Sequence, residues 1–83
     1  MGLETHSLVE IKERFHKENK YVPPMHWAHG TLWIDTNDES DIETIRDVME
    51  SEVLNKGFAV NFHLLKATGT EPWDQWAMDV VDA

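Results

Sequence analysis

Histidines and acids are the residues of this chain whose chemistry reaches beyond packing. His26 and His29, with His63 farther on, could ligate a metal. An H-x-x-H pair on a strand sends its two imidazoles to opposite faces, and no third or fourth ligand stands at a recognised spacing. No metal site is therefore expected. Asp35, Asn37, Glu39 and Asp41 alternate like the ligands of a calcium loop, but Ser40 stands where that loop needs glycine and Arg46 where it needs a bidentate glutamate. A strand-to-helix loop with capping carboxylates accounts for the same residues. Hydrolytic chemistry lacks parts as well. Ser7 and Ser40 read as helix caps, Ser51 lies within a helix, and there is no Gly-x-Ser-x-Gly elbow or phosphate-cradling glycine loop. The chain contains no cysteine, which removes thiol nucleophiles, thiolate metal sites and disulfides. His63 and Asp79 share a sheet face if the last two segments form a hairpin, but a His/Asp pair without a nucleophile is weak ground for acid–base catalysis. The expectation is a non-enzyme without cofactor.

Charge is more informative. Seven basic residues against sixteen acidic ones give a formal net charge of −9, which argues against direct nucleic-acid binding, since phosphates require a basic patch. Half of the acids fall between Asp35 and Glu52: Asp35, Asp38, Glu39, Asp41, Glu43, Asp47, Glu50 and Glu52, with Arg46 as the only base among them. On a helix, Glu43–Asp47 and Asp47–Glu50 are like-charge neighbours, each costing about 0.2–0.5 kcal/mol. Such a face either solubilises the chain or docks on a basic partner. For docking, Asp38, Glu39, Glu43, Asp47 and Glu50 would supply the electrostatics and Trp33 an apolar anchor.

These residues must be carried by a single domain spanning residues 1–83, because 83 residues form one core. A hydrophobic content of 41% is too rich for a disordered acidic tail. No apolar run approaches the roughly 18–20 residues of a membrane span. The opening MGLETHSLVE has neither a basic n-region nor an apolar h-region, so a cytoplasmic protein is expected.

Leu8, Ile11 and Phe15 share one face of a first helix, Ser7 to Lys20, with Ser7 and Glu10 as a capping box. Lys12, Arg14, Lys17 and Lys20 crowd its C-terminal half, where cations suit the helix dipole. Tyr21-Val22-Pro23-Pro24 ends it and opens an extended linker into MHWAHGTLWID, whose Leu32 and Ile34 alternate with Thr31, Trp33 and Asp35 as in a strand. Gly30 marks a bulge or a turn. The second helix enters through Asn37-Asp38-Glu39-Ser40, with Ser40 and Glu43 as a further capping box. It buries Ile42, Ile45, Met49 and Val53, flanked by Val48 and Leu54, and stops at Gly57. Phe58, Val60, Phe62 and Leu64 form one face of the next strand. The last segment, residues 70–83, fits a helix through Trp73, Trp76, Ala77, Val80 and Val81, and a strand through Trp76, Met78 and Val80. Two strands alone would cover too little core, so topology selects the strand over 72–82, entered through a turn at Gly69-Thr70-Glu71-Pro72. The expected fold is α+β: an N-terminal helix, then β-α-β-β, with a three-stranded mixed sheet and both helices on one face. The other face would carry Trp33, Asn61, His63, Leu65, Ala77, Asp79 and Val81, either open as an interface or covered by Tyr21, Val22 and Met25.

The order TLWID, TNDESDIETI, NKGF, AVNFHLL and WAMDVVD, over residues 25–83, resembles the regulator of ribonuclease activity B family. That resemblance implies a ferredoxin-like α+β fold and an acidic protein that binds and inhibits an endoribonuclease. The chain lacks the long acidic tail of that family, and no functional residues are carried over. The reading that results is a non-catalytic acidic binding or inhibitor protein that docks on a basic protein partner such as a nuclease or other nucleic-acid enzyme. The alternative is a small assembly protein, such as a viral accessory component, that forms a homodimer through the open sheet face.

Overall fold

A computed structural model describes residues 3–65 and 75–82 of the chain. Helix α1 spans Leu3–Lys17. A short strand β1 (Met25–Ala28) turns into β2 (Thr31–Asp35), followed by α2 (Glu39–Val53), a single 3-10 turn (Leu54–Lys56), β3 (Phe58–Leu65) and β4 (Gln75–Asp82). Among the described residues the sheet has four strands in the order β1-β2-β4-β3, and every neighbouring pair is antiparallel.

This corrects the expected three-stranded mixed sheet. The linker before Thr31 supplies a further strand, because His29 and Gly30 adopt left-handed backbone at φ 54° and 77° and so make the two-residue turn that a tight hairpin needs. Gly30 therefore marks a turn. The expected β-α-β unit is also split. Both β2 and β3 run antiparallel to β4, which lies between them, so the two strands joined by α2 are parallel in direction but not neighbours. The strand assignment of the last segment holds for residues 75–82, and the expected turn at 69–72 lies outside the described residues. Met78 and Ala77, on opposite faces of β4, are both buried, as befits a central strand. Burial across the whole sheet outweighs the local helical periodicity of this segment.

Both helices pack on one sheet face. Ile11 and Phe15 of α1 meet Ile42, Ile45, Val48, Met49 and Val53 of α2 over Leu32, Ile34 and Met78 of the sheet, with Leu8, Val22, Met25, Trp27, Val60, Phe62, Trp76 and Val80 around them. Leu54, expected on the buried stripe of the second helix, is two-thirds exposed, because the chain leaves the α-helical path at that residue. Gly57 closes the 3-10 turn in the left-handed region, as its position after the helix predicts.

Two caps differ from expectation. The first helix begins by Leu3, so Ser7 is no cap. It is fully buried, and its Oγ accepts a hydrogen bond of 3.2 Å from the Trp27 indole N–H. The second helix is capped by Asp38, whose Oδ1 accepts from the Ser40 backbone N–H at 2.9 Å. Thr36 supports that entrance, with Oγ1 accepting from the Asp38 N–H and donating to Asp41 Oδ2.

Candidate functional site

The buried stripe of α2 fixes where its acids point. Because Ile42, Ile45, Val48, Met49 and Val53 face the core, Glu39, Glu43, Asp47 and Glu50 are all exposed on the opposite side. Their spacing of four, four and three residues is a single helix ridge, which at 1.5 Å per residue runs about 17 Å. Asp38 stands at the head of the ridge. Hydrogen bonds from Ser40, its hydroxyl first and its backbone N–H second, hold the Asp38 carboxyl below the usual carboxylate range. Among the described residues, no Lys or Arg comes within ion-pair distance of any of these five acids, although the charge of Lys20 adds a smaller lowering effect at Asp38. Arg46, the only base in the helix, instead places its guanidinium 5.0 Å from the centre of the Phe62 ring. The last turn of α2 contains no base either.

Trp33 does not join this ridge. It alternates with the buried Leu32 and Ile34 and so lies on the sheet face away from both helices. There the pairing registers set His26, Trp33, Ala77 and His63 in one row across the sheet, and Thr31, Asp79 and Asn61 in the next. The residues expected on the open face are thus together, joined by His26 and Ala28 from β1. Tyr21 is exposed, whereas Val22 and Met25 pack against the helix-side core. The segment that could have covered the open face therefore lies on the other side.

Three polar contacts tie this face together. Thr31 Oγ1 donates to Asp79 Oδ1 at 2.6 Å, His63 Nε2 lies 3.6 Å from Asp79 Oδ2, and Asn61 Nδ2 lies 3.3 Å from the same His63 nitrogen. His63 and Asp79, expected to share a sheet face, are thus neighbours on it. About half of each side chain is exposed, so water competes for the pair. A nitrogen that accepts from Asn61 cannot at the same time donate to Asp79, and the ring tautomer selects between the two. A groove of about 250 Å³ lies elsewhere, between α1 and α2, lined by Glu10, Glu13, Arg14, Lys17 and Glu52.

Beside that groove is a cluster that sequence reasoning missed. His6 Nε2 is 3.3 Å from Glu52 Oε2 and 3.9 Å from Glu10 Oε1, and the three donor atoms lie within 4.8 Å of one another. A protonated imidazole there attracts both carboxylates, and a neutral one offers the same nitrogen as a metal ligand. His26, His29 and His63 take no part in the cluster. The i, i+4 relation of His6 and Glu10 was open to a reader of the sequence; the approach of Glu52 depends on how the helices cross.

Comparison with models of protein families, with curated proteins and with solved structures found no match to this chain.

Proposed function

We propose that the protein is a non-catalytic docking module that presents the α2 ridge to a basic protein surface, of the kind by which a nuclease or other nucleic-acid enzyme holds its own polyanion. The observation that supports this reading is the row Glu39, Glu43, Asp47 and Glu50, headed by Asp38, exposed on one ridge and without a Lys or Arg ion-pair partner among the described residues. Complementary charge steers such an encounter and makes it sensitive to salt. The ridge acts without Trp33, which faces away from it. A pull-down from native lysate, with and without nuclease treatment, compares the wild type with the Glu43→Lys/Asp47→Lys/Glu50→Lys variant. A basic nucleic-acid enzyme should be retained by the wild type after nuclease treatment and lost both at high salt and with the variant. Equal retention by the two proteins would sink the acidic-ridge reading.

A further inference from the structure

We propose that β3 is the pairing edge of a symmetric dimer, in which the β3 strands of two copies lie antiparallel and join their sheets into one. This inference is independent of the acidic-ridge reading. β3 is an outer strand, hydrogen-bonded to β4 on one side and to no other described strand. Bare edges of this kind are templates for pairing, and monomeric proteins blunt them with charged residues, prolines, bulges or shortness. The opposite edge of this sheet follows that rule, since β1 is only four residues long. β3 does not follow it. Its eight residues, Phe58 to Leu65, include no Lys, Arg, Asp, Glu or Pro, and its register with β4 runs from Phe58↔Asp82 to Leu65↔Gln75 without a bulge. Phe58, Leu64 and Leu65 are exposed on it.

A second copy of the same strand fits this edge. A two-fold axis normal to the sheet keeps the helices of both copies on one side, so residues of like facing must stand opposite each other. With Phe62 on that axis, Val60 meets the second copy's Leu64, Ala59 meets its Leu65, and Asn61 meets its His63. Exposed Leu64 and Leu65 thus each meet an apolar residue and no charged residue of the strand is opposed, while Phe58 lies beyond the paired stretch and Arg46, over the Phe62 ring, flanks the axis. The edge is about 26 Å long at 3.3 Å per residue. The sheet layer is about 10 Å deep, so the strand edge itself buries on the order of 250 Å² per copy, about 500 Å² in all, which is the scale of a weak, concentration-dependent contact. Each copy carries a formal charge of −9, which opposes association everywhere except along this uncharged strand.

Two measurements test the proposal. Sedimentation over micromolar to sub-millimolar concentrations should show a shift from 9.7 kDa to twice that mass, strengthened by added salt because screening relieves the repulsion between copies. Hydrogen exchange over the same range should show outward-facing amides of residues 58–65 gaining protection as the dimer forms. An Asn61→Lys/Leu65→Lys variant, verified as folded by far-UV circular dichroism, should weaken the dimer about tenfold or more, since lysine on an edge strand opposes pairing. A strict monomer throughout the range, a dimer weakened by salt, or a dimer that leaves β3 exchange unchanged would each overturn it. The exchange result stands even if the variant does not fold.

Discussion

Replacing Asp47 by alanine should stabilise the protein, and the size of the gain follows from the helix around it. Asp47 sits mid-helix in α2, exposed, without a hydrogen bond or ion pair to any described residue. Glu43 precedes it by four residues and Glu50 follows by three, so it meets a like charge on each side along the ridge. Removing two such neighbours returns about 0.4–1.0 kcal/mol. Alanine adds up to about 0.7 kcal/mol of helix propensity over aspartate. The sum, about 0.4–1.7 kcal/mol, raises the melting temperature by about 4–8 °C per kcal/mol for a domain of this size. Asp47→Lys should gain more, because it turns both repulsions into attractions and sets Glu43 four residues ahead of a lysine, the favoured order. Urea unfolding followed by far-UV circular dichroism, at low and at high salt, measures the difference. The electrostatic share should shrink at high salt, leaving the propensity share. An Asp47→Ala protein no more stable than wild type at low salt would refute the premise that this ridge is held against the stability of its own helix. The same substitution should weaken docking on a basic partner, so stability and binding move in opposite directions.

Ser7→Ala should cost about 1 kcal/mol or more, because it leaves the Trp27 indole N–H without its acceptor. In a double-mutant cycle with Trp27→Phe, a coupling of about 0.5–1.5 kcal/mol is expected, and strict additivity would show that the bond contributes nothing. Asp38 has a lowered pKa in the folded protein, so its contribution is complete above the ordinary carboxylate range and is lost as pH falls through the folded value. Asp38→Asn should keep the cap while flattening that acid limb of a stability–pH profile; an unchanged profile would disconnect the cap from acid unfolding. Met78→Ala, at the fully buried centre of β4, should cost about 2–5 kcal/mol in equilibrium unfolding, and a loss below 1 kcal/mol would contradict the central position of that strand.

Periodicity made much of this fold legible. The helix faces of Ile11 and Phe15 and of Ile42, Ile45, Met49 and Val53 were readable, as was the alternation of Leu32 and Ile34, because each repeats over several residues. β1 was missed because four residues after two prolines give too short an alternation, and the His29-Gly30 turn that reveals it lacks the usual Asn-Gly or Asp-Gly signature. Ser7 was misread as a cap because local pattern cannot distinguish a cap from a buried hydroxyl whose partner, Trp27, lies twenty residues away. The acidic ridge was legible residue by residue, since exposure followed from the buried stripe. Its separation from Trp33 was not, because it depends on which sheet face the helices choose. The His6–Glu10–Glu52 cluster likewise depends on the crossing of two helices.

The position of β4 between β2 and β3 also governs the order in which the chain assembles. Phe62 pairs with Met78 across 16 residues, whereas Leu32 pairs with the same methionine across 46. Closing the longer loop costs about 0.9 kcal/mol more in chain entropy. The two hairpins, β1–β2 and β3–β4, are therefore the more local units, and contact order predicts that their docking along β2–β4 follows them. Before that step, β2 and β4 each present an unpaired edge, and completing the sheet is what removes both from reach of a neighbouring chain.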